Sequence, residues 1–128
     1  MMPKATFAKS PPELVERFLA VTADVPGTEQ RKMFGYPALF VGGNMVSGLY
    51  ESSWHVRLAE ADQVELLRVP GAGPVEIMPG RAMPGYVALP PSVIADDSAV
   101  RAWIDRAVGF GRTLPPKPAR TGRAVPRR

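Results

Sequence analysis

Near the start of the chain, Leu14, Val15, Phe18, Leu19 and Thr22 recur at helical spacing and leave Glu16 and Arg17 on the wet side, until Pro26-Gly27 stops the pattern. Ahead of them, Ser10-Pro11-Pro12-Glu13 has the form of a capping box with Ser10 at the N-cap. Over residues 29–58 the period shortens to that of strands. Four short strands are predicted, at residues 31–34, 38–41, 45–50 and 54–58. They are separated by the break Gly35-Tyr36-Pro37, by the hairpin signal Gly42-Gly43-Asn44 and by Glu51-Ser52-Ser53. The last strand alternates strictly, with Trp54, Val56 and Leu58 on one face and His55 and Arg57 on the other, which predicts an antiparallel meander with one buried face.

Residues 59–68 predict a short helix with Ala61, Val64 and Leu67 facing inward, ended by Pro70-Gly71. Val75-Glu76-Ile77 predicts a brief edge strand, Met78-Pro79-Gly80 a turn, and Tyr86-Val87-Ala88-Leu89 a further strand before Pro90-Pro91. A closing helix carries the apolar stripe Val100, Trp103, Ile104, Ala107 and Val108, with Arg101, Asp105 and Arg106 outside it. Asp96 and Asp97 suit its cap and the positive end of its dipole. The order helix, meander, helix, strand, helix places the chain in the α+β class, a small antiparallel sheet with helices packed on one face and with the N- and C-terminal helices flanking it.

The 128 residues suffice for one domain, expected over residues 10–111 after a flexible N-terminus at 1–9. The absence of Cys excludes disulfides, thiolate metal sites and a cysteine nucleophile, and a single His excludes a His-rich metal site. No apolar run approaches the ~18 residues of a membrane span, and the N-terminus lacks the apolar core of a signal peptide, so a cytoplasmic protein with no membrane partner is expected. The formal charge of +4 is unevenly spread. Residues 112–128 carry Arg112, Lys117, Arg120, Arg123, Arg127 and Arg128, no acid and several prolines, the composition of a disordered basic tail. Residues 10–111 hold eight basic side chains against twelve acidic ones. Weak, salt-sensitive affinity for nucleic acid through the tail is one reading, and a solubilising extension is the other.

His55 is the one imidazole, and Glu51, Ser52 and Ser53 beside it are turn residues rather than members of a triad. Gly71-Ala72-Gly73 lacks the third glycine of a dinucleotide fingerprint, and there is no Gly-Lys-Ser/Thr of a P-loop. Asp96-Asp97 and Glu60, Asp62 and Glu65 read as a helix cap and a solvated helix face. No catalytic, cofactor-binding or metal site is therefore expected. Met33, Met45, Met78 and Met83, with Phe34, Tyr36, Phe40 and Trp54, read as core, with an adaptable contact surface as the alternative; Tyr36 and Met83 are expected to be the most exposed of them, because both adjoin turn residues.

Arg31-Lys32-Met33-Phe34-Gly35, the apolar triplet Leu39-Phe40-Val41, the Gly-Gly-Asn turn and Met45 resemble the N-terminal domain of the TfoX/Sxy family. The likeness continues through Trp54 to Leu58, through Pro79-Gly80-Arg81-Ala82-Met83 with Tyr86 and Leu89-Pro90, and through Ala102-Trp103-Ile104 with Ala107. Where the family's commonest form is Met-Phe-Gly-Gly-Tyr-Gly, this chain reads Met33-Phe34-Gly35-Tyr36-Pro37-Ala38. The resemblance implies a small α+β domain, here without the second domain of the best-known members, and a link to regulation of natural competence. It brings no catalytic residues. The expected function is a non-enzymatic regulatory or interaction module with a protein partner, as a monomer or a homodimer, and a contact surface of Arg31, Lys32, Tyr36, His55 and Arg57. The alternatives are a nucleic-acid-associated protein using Arg31, Lys32, Arg57 and the tail, and a small-molecule enzyme using His55 in a pocket between sheet and helices.

Overall fold

The computed structural model describes residues 9–78 and 81–117, at residues 77, 78, 81 and 82 through the backbone alone. Its elements are α1 (Pro12–Thr22), β1 (Glu29–Met33), β2 (Tyr36–Val41), β3 (Asn44–Tyr50), β4 (Ser53–Arg57), α2 (Glu60–Leu67), β5 (Gly73–Met78), β6 (Arg81–Ala88), α3 (Pro91–Ile94) and α4 (Asp97–Gly111). The strands form one antiparallel six-stranded sheet in the order β1-β2-β3-β4-β6-β5, so the protein is α+β as its pattern predicts. The short helix α3 lies where the sequence offered only a proline pair.

Alternation decides what each strand offers the core. Leu39, Leu49, Trp54, Val56 and Val87 share the helix-covered face, where α1 contributes Leu14 and Phe18 and α4 contributes Val100, Ile104, Ala107 and Val108. Trp54 and Phe18 meet in a tilted ring contact at 5.2 Å. The indole Nε1 donates to Ser47 Oγ at 3.1 Å, and that hydroxyl donates to the His55 carbonyl at 2.8 Å, so the polar atoms buried with the tryptophan are satisfied. Between Leu39 and Phe40 the pairing with β3 slips, and Val46, the additional residue, points to α4. The helix comes so close there that a Cβ on Gly111 would sit 2.5 Å from Val46 Cγ1.

Four expectations are corrected. Pro11, not Ser10, is the N-cap of α1, which has no side-chain cap; Ser10 Oγ instead donates to the Glu51 carbonyl at 2.6 Å, tying the start of the chain to the β3–β4 turn. On α2 the inward residue is Leu66, whereas Ala61 is exposed and Val64 and Leu67 are among the exposed large apolar residues. The eight-residue helix offers two overlapping apolar stripes, and the sheet accepts the one through Leu66. The meander is also buried on both faces at its centre, since every residue of β2 is buried. Finally, the chain stays bonded to the body beyond α4: Arg112 Nη2 donates to the Pro26 carbonyl at 2.7 Å, Asn44 Nδ2 to the Pro115 carbonyl at 3.0 Å, and Lys117 N to the Gly42 carbonyl at 2.7 Å. Residues 112–117 thus form a strap over the β2–β3 turn, in place of the start of a disordered tail.

Asp96 caps α4 as expected, accepting from Ser98 N and Ala99 N. The ion pairs Arg17–Asp97, Arg106–Asp62 and Arg106–Glu65 join helices at their wet edges, Arg101–Asp24 ties α4 to the segment after α1, and Arg101–Asp105 lies within α4. Being largely solvated, they add little stability beyond fixing how the helices lie. No helix among the described residues is long and apolar enough to cross a membrane.

Candidate functional site

The β1–β2 hairpin gathers Arg31, Lys32 and Tyr36, but it does not present them as the spacing suggested. Met33 pairs with Tyr36, leaving Phe34-Gly35 as the two loop residues, with φ of 56° and 85°. Positive φ at both positions is the turn that matches strand twist, and an L residue at the first of them carries a cost of ~1 kcal/mol. With the turn centred there, Tyr36 is the first residue of β2 and is buried, its ring edge-on to Tyr50 at 5.4 Å; this corrects the expectation that it is exposed. Phe34 is the residue left outside, 74% exposed at the hairpin tip. Met83, the other residue expected outside, is half-buried.

The two cations beside the tip differ. Arg31 is half-buried, with its guanidinium over the Phe40 ring at 5.0 Å and paired to Glu29 at 2.8 Å, which holds the Glu29 carboxyl below its ordinary range. Lys32 is exposed. Its opposite number is Pro37, at a non-hydrogen-bonded position of the β1–β2 ladder where no N–H is called for.

His55 and Arg57 lie on β4, three strands from Arg31 and Lys32; the row Arg31, Ala38, Gly48, His55 puts His55 on the same sheet face as Arg31 without bringing the two side by side. His55 does point away from Trp54, but it is 2% exposed, which corrects its place on a wet face. Gly48 opposite leaves room for the ring, since a Cβ there would come within 3.0 Å of His55 Cε1. Tyr86 closes over it edge-on at 5.5 Å and anchors itself by donating to the Met45 carbonyl at 2.7 Å. Burial pushes the imidazole pKa down to about 4, and Nδ1 has no hydrogen-bond partner among the described residues. A neutral ring packed in this way occupies the second face of the sheet as an apolar side chain would. Arg57 is half-buried, with its guanidinium near the rings of Tyr86 and Phe110 at 5.7 and 6.0 Å.

A half-open cavity of about 500 Å³ lies between the β3–β4 turn and β5, lined by Tyr50, Glu51, Ser53, Val75, Glu76 and others, and His55 is not in its wall. Among the described residues no three metal-ligating side chains come together. Of the tail residues singled out, Arg112 and Lys117 belong to the strap; Arg120, Arg123, Arg127 and Arg128 lie outside the described residues. The residue whose place sequence reasoning missed is Phe34, read as core with a contact surface only as the alternative. Its signal was present: two strand-like runs separated by two residues, Phe-Gly, put the phenylalanine at the turn.

No curated protein and no solved structure matches the chain. The family model described as the TfoX N-terminal domain does match, over residues 20–110, a span that takes in the whole sheet, the hairpin with Phe34 at its tip and all but the last residue of α4. The chain therefore belongs to the TfoX N-terminal domain family.

Proposed function

We propose that the protein is a non-catalytic regulatory module that works by binding another protein through the β1–β2 hairpin. The observation that carries this reading is Phe34, an aromatic side chain three-quarters exposed on a backbone conformation that glycine or asparagine would adopt at less cost. Neither turn geometry nor core packing calls for phenylalanine there, and an exposed aromatic flanked by Lys32 has the make-up of an interface anchor with a polar rim. The family's association with regulation of competence agrees with such a module, and the packing of His55 as a neutral core residue agrees with a function exercised at the surface.

The test is a photo-crosslinking residue at position 34, compared in the source cells with the same residue at exposed Glu60 on α2. A discrete adduct specific to position 34 is expected. Equal labelling from both positions, or turnover of a small molecule that His55→Leu abolishes, would overturn the reading. The nucleic-acid alternative is separated by salt-dependent titration of DNA and RNA with the full chain and with a chain ending at Lys117. That end point keeps the strap, which an end at Gly111 would remove.

A further inference from the structure

We propose that the hairpin's partner is a second copy of this chain, the two β1 strands pairing antiparallel about a two-fold axis at Gln30 to make one continuous sheet. The proposal rests on the reading of the hairpin as a contact surface and names what it contacts. β1 is an outer strand, and among the described residues nothing bonds its open side. In an antiparallel ladder closed by a two-residue turn, the pair flanking the turn is hydrogen-bonded and the phase then alternates. Met33, Arg31 and Glu29 therefore turn their backbone groups to β2, and Lys32 and Gln30 turn theirs outward.

Any two-fold register centred on a residue of β1 sets those outward groups against one another, and charge distinguishes the centres. A centre at Glu29, Arg31 or Lys32 would set that residue against its counterpart in the other copy, like charges directly opposed, and one at Met33 would overlap little beyond the turns. A centre at Gln30 sets Gln30 against Gln30, Lys32 against Thr28, and Arg31 against Glu29 twice over, extending the ion pair each copy already makes within itself. Charge and overlap select the centre at Gln30. That same register brings the hairpin tip with Phe34 towards the other copy's exposed Pro26-Gly27 turn, where the ring that each copy leaves bare has a surface to meet. It also brings Leu19 beside the axis. Gln30 Nε2 donates to the Leu19 carbonyl at 3.0 Å and to Thr22 Oγ1 at 2.8 Å, and the Leu19 side chain is 40% exposed on α1. One register thus accounts for two of the four exposed large apolar residues.

Sedimentation of the full chain over a range of concentrations should show a reversible dimer. Arg31→Glu should weaken it about tenfold or more, and adding Glu29→Arg should restore it while also restoring the pair within each copy. The chain has no cysteine, so single cysteines report the register directly. Gln30→Cys brings its Cα atoms to about 5.5 Å across the axis, within disulfide reach, and should cross-link on mild oxidation. Arg31→Cys should not. Thermal melts of each variant separate lost pairing from lost folding. A monomer at all concentrations, a dimer indifferent to Arg31→Glu, or cross-linking at Arg31 in preference to Gln30 would overturn the proposal. A monomer that still forms a position-34 adduct with a different protein would overturn self-pairing alone and leave the hairpin reading standing.

Discussion

Two turns of this sheet have nearly the same backbone and opposite surroundings. At the β1–β2 tip, φ is 56° at Phe34 and 85° at Gly35; at the β2–β3 tip it is 56° at Gly42 and 84° at Gly43. The second turn is roofed by residues 115–117, whose backbone bonds both the Gly42 carbonyl and the Asn44 side chain, and a Cβ on Gly43 would overlap the Lys117 carbonyl. The first turn is bare, and a Cβ on Gly35 would meet nothing within 4 Å. Glycine at position 43 answers to a close neighbour as well as to φ. Phenylalanine at position 34 answers to neither, and this contrast is what separates a structural turn from a working one.

The comparison collapses first if the sheet that both turns share gives way, and acid is where it does. His55 stays neutral in the fold down to about pH 4 but takes a proton at about pH 6.5 in the unfolded chain. Its stabilising effect is therefore complete above pH 6.5 and drains away as pH falls through 4, by about 3 kcal/mol in all. Denaturant melts from pH 7 to pH 4 should trace that loss, and His55→Leu should flatten its slope relative to the native chain. Next in size, Gly43→Ala should cost about 2 kcal/mol by prising the strap from the turn. A chain ending at Gly111 should lose a comparable amount, whereas one ending at Lys117 should melt with the full chain; equal melting of all three would erase the distinction between the turns. At the bare tip, Gly35→Ala should cost only about 1 kcal/mol, the left-handed backbone without a clash. Smallest is Phe34→Asn, which should raise stability by about 0.5 kcal/mol while removing the position-34 contact. A loss of stability there would mean that the ring packs onto its own chain.

Much of the architecture was legible because its signals are local. The stripe on α4, the Asp96 cap, the Gly-Gly hairpin and the alternation of Trp54, Val56 and Leu58 each depend on neighbours a few residues away. The sequence pattern exchanges the exposed and buried aromatics of the first hairpin because it starts the break at Gly35, one residue after the loop begins at Phe34, and in a strand one residue decides the face. His55 was set on the proper side of β4, but nothing in its vicinity announces that Tyr86, 31 residues on, reaches across to the Met45 carbonyl and seals that side. The strap was equally hidden, since proline-rich basic sequence resembles a free tail until its carbonyls find the turn.

That strap also imposes an order on how the molecule is made. Asn44 and Pro115 lie 71 residues apart, so during synthesis the β2–β3 turn is complete long before its cover exists. Throughout that interval the Asn44 amide, buried at 4% exposure in the finished protein, must be served by water or by a chaperone. The fold is thus closed from its C-terminal side, and a nascent chain halted at the end of α4 would hold a nearly finished sheet with one hairpin still unroofed.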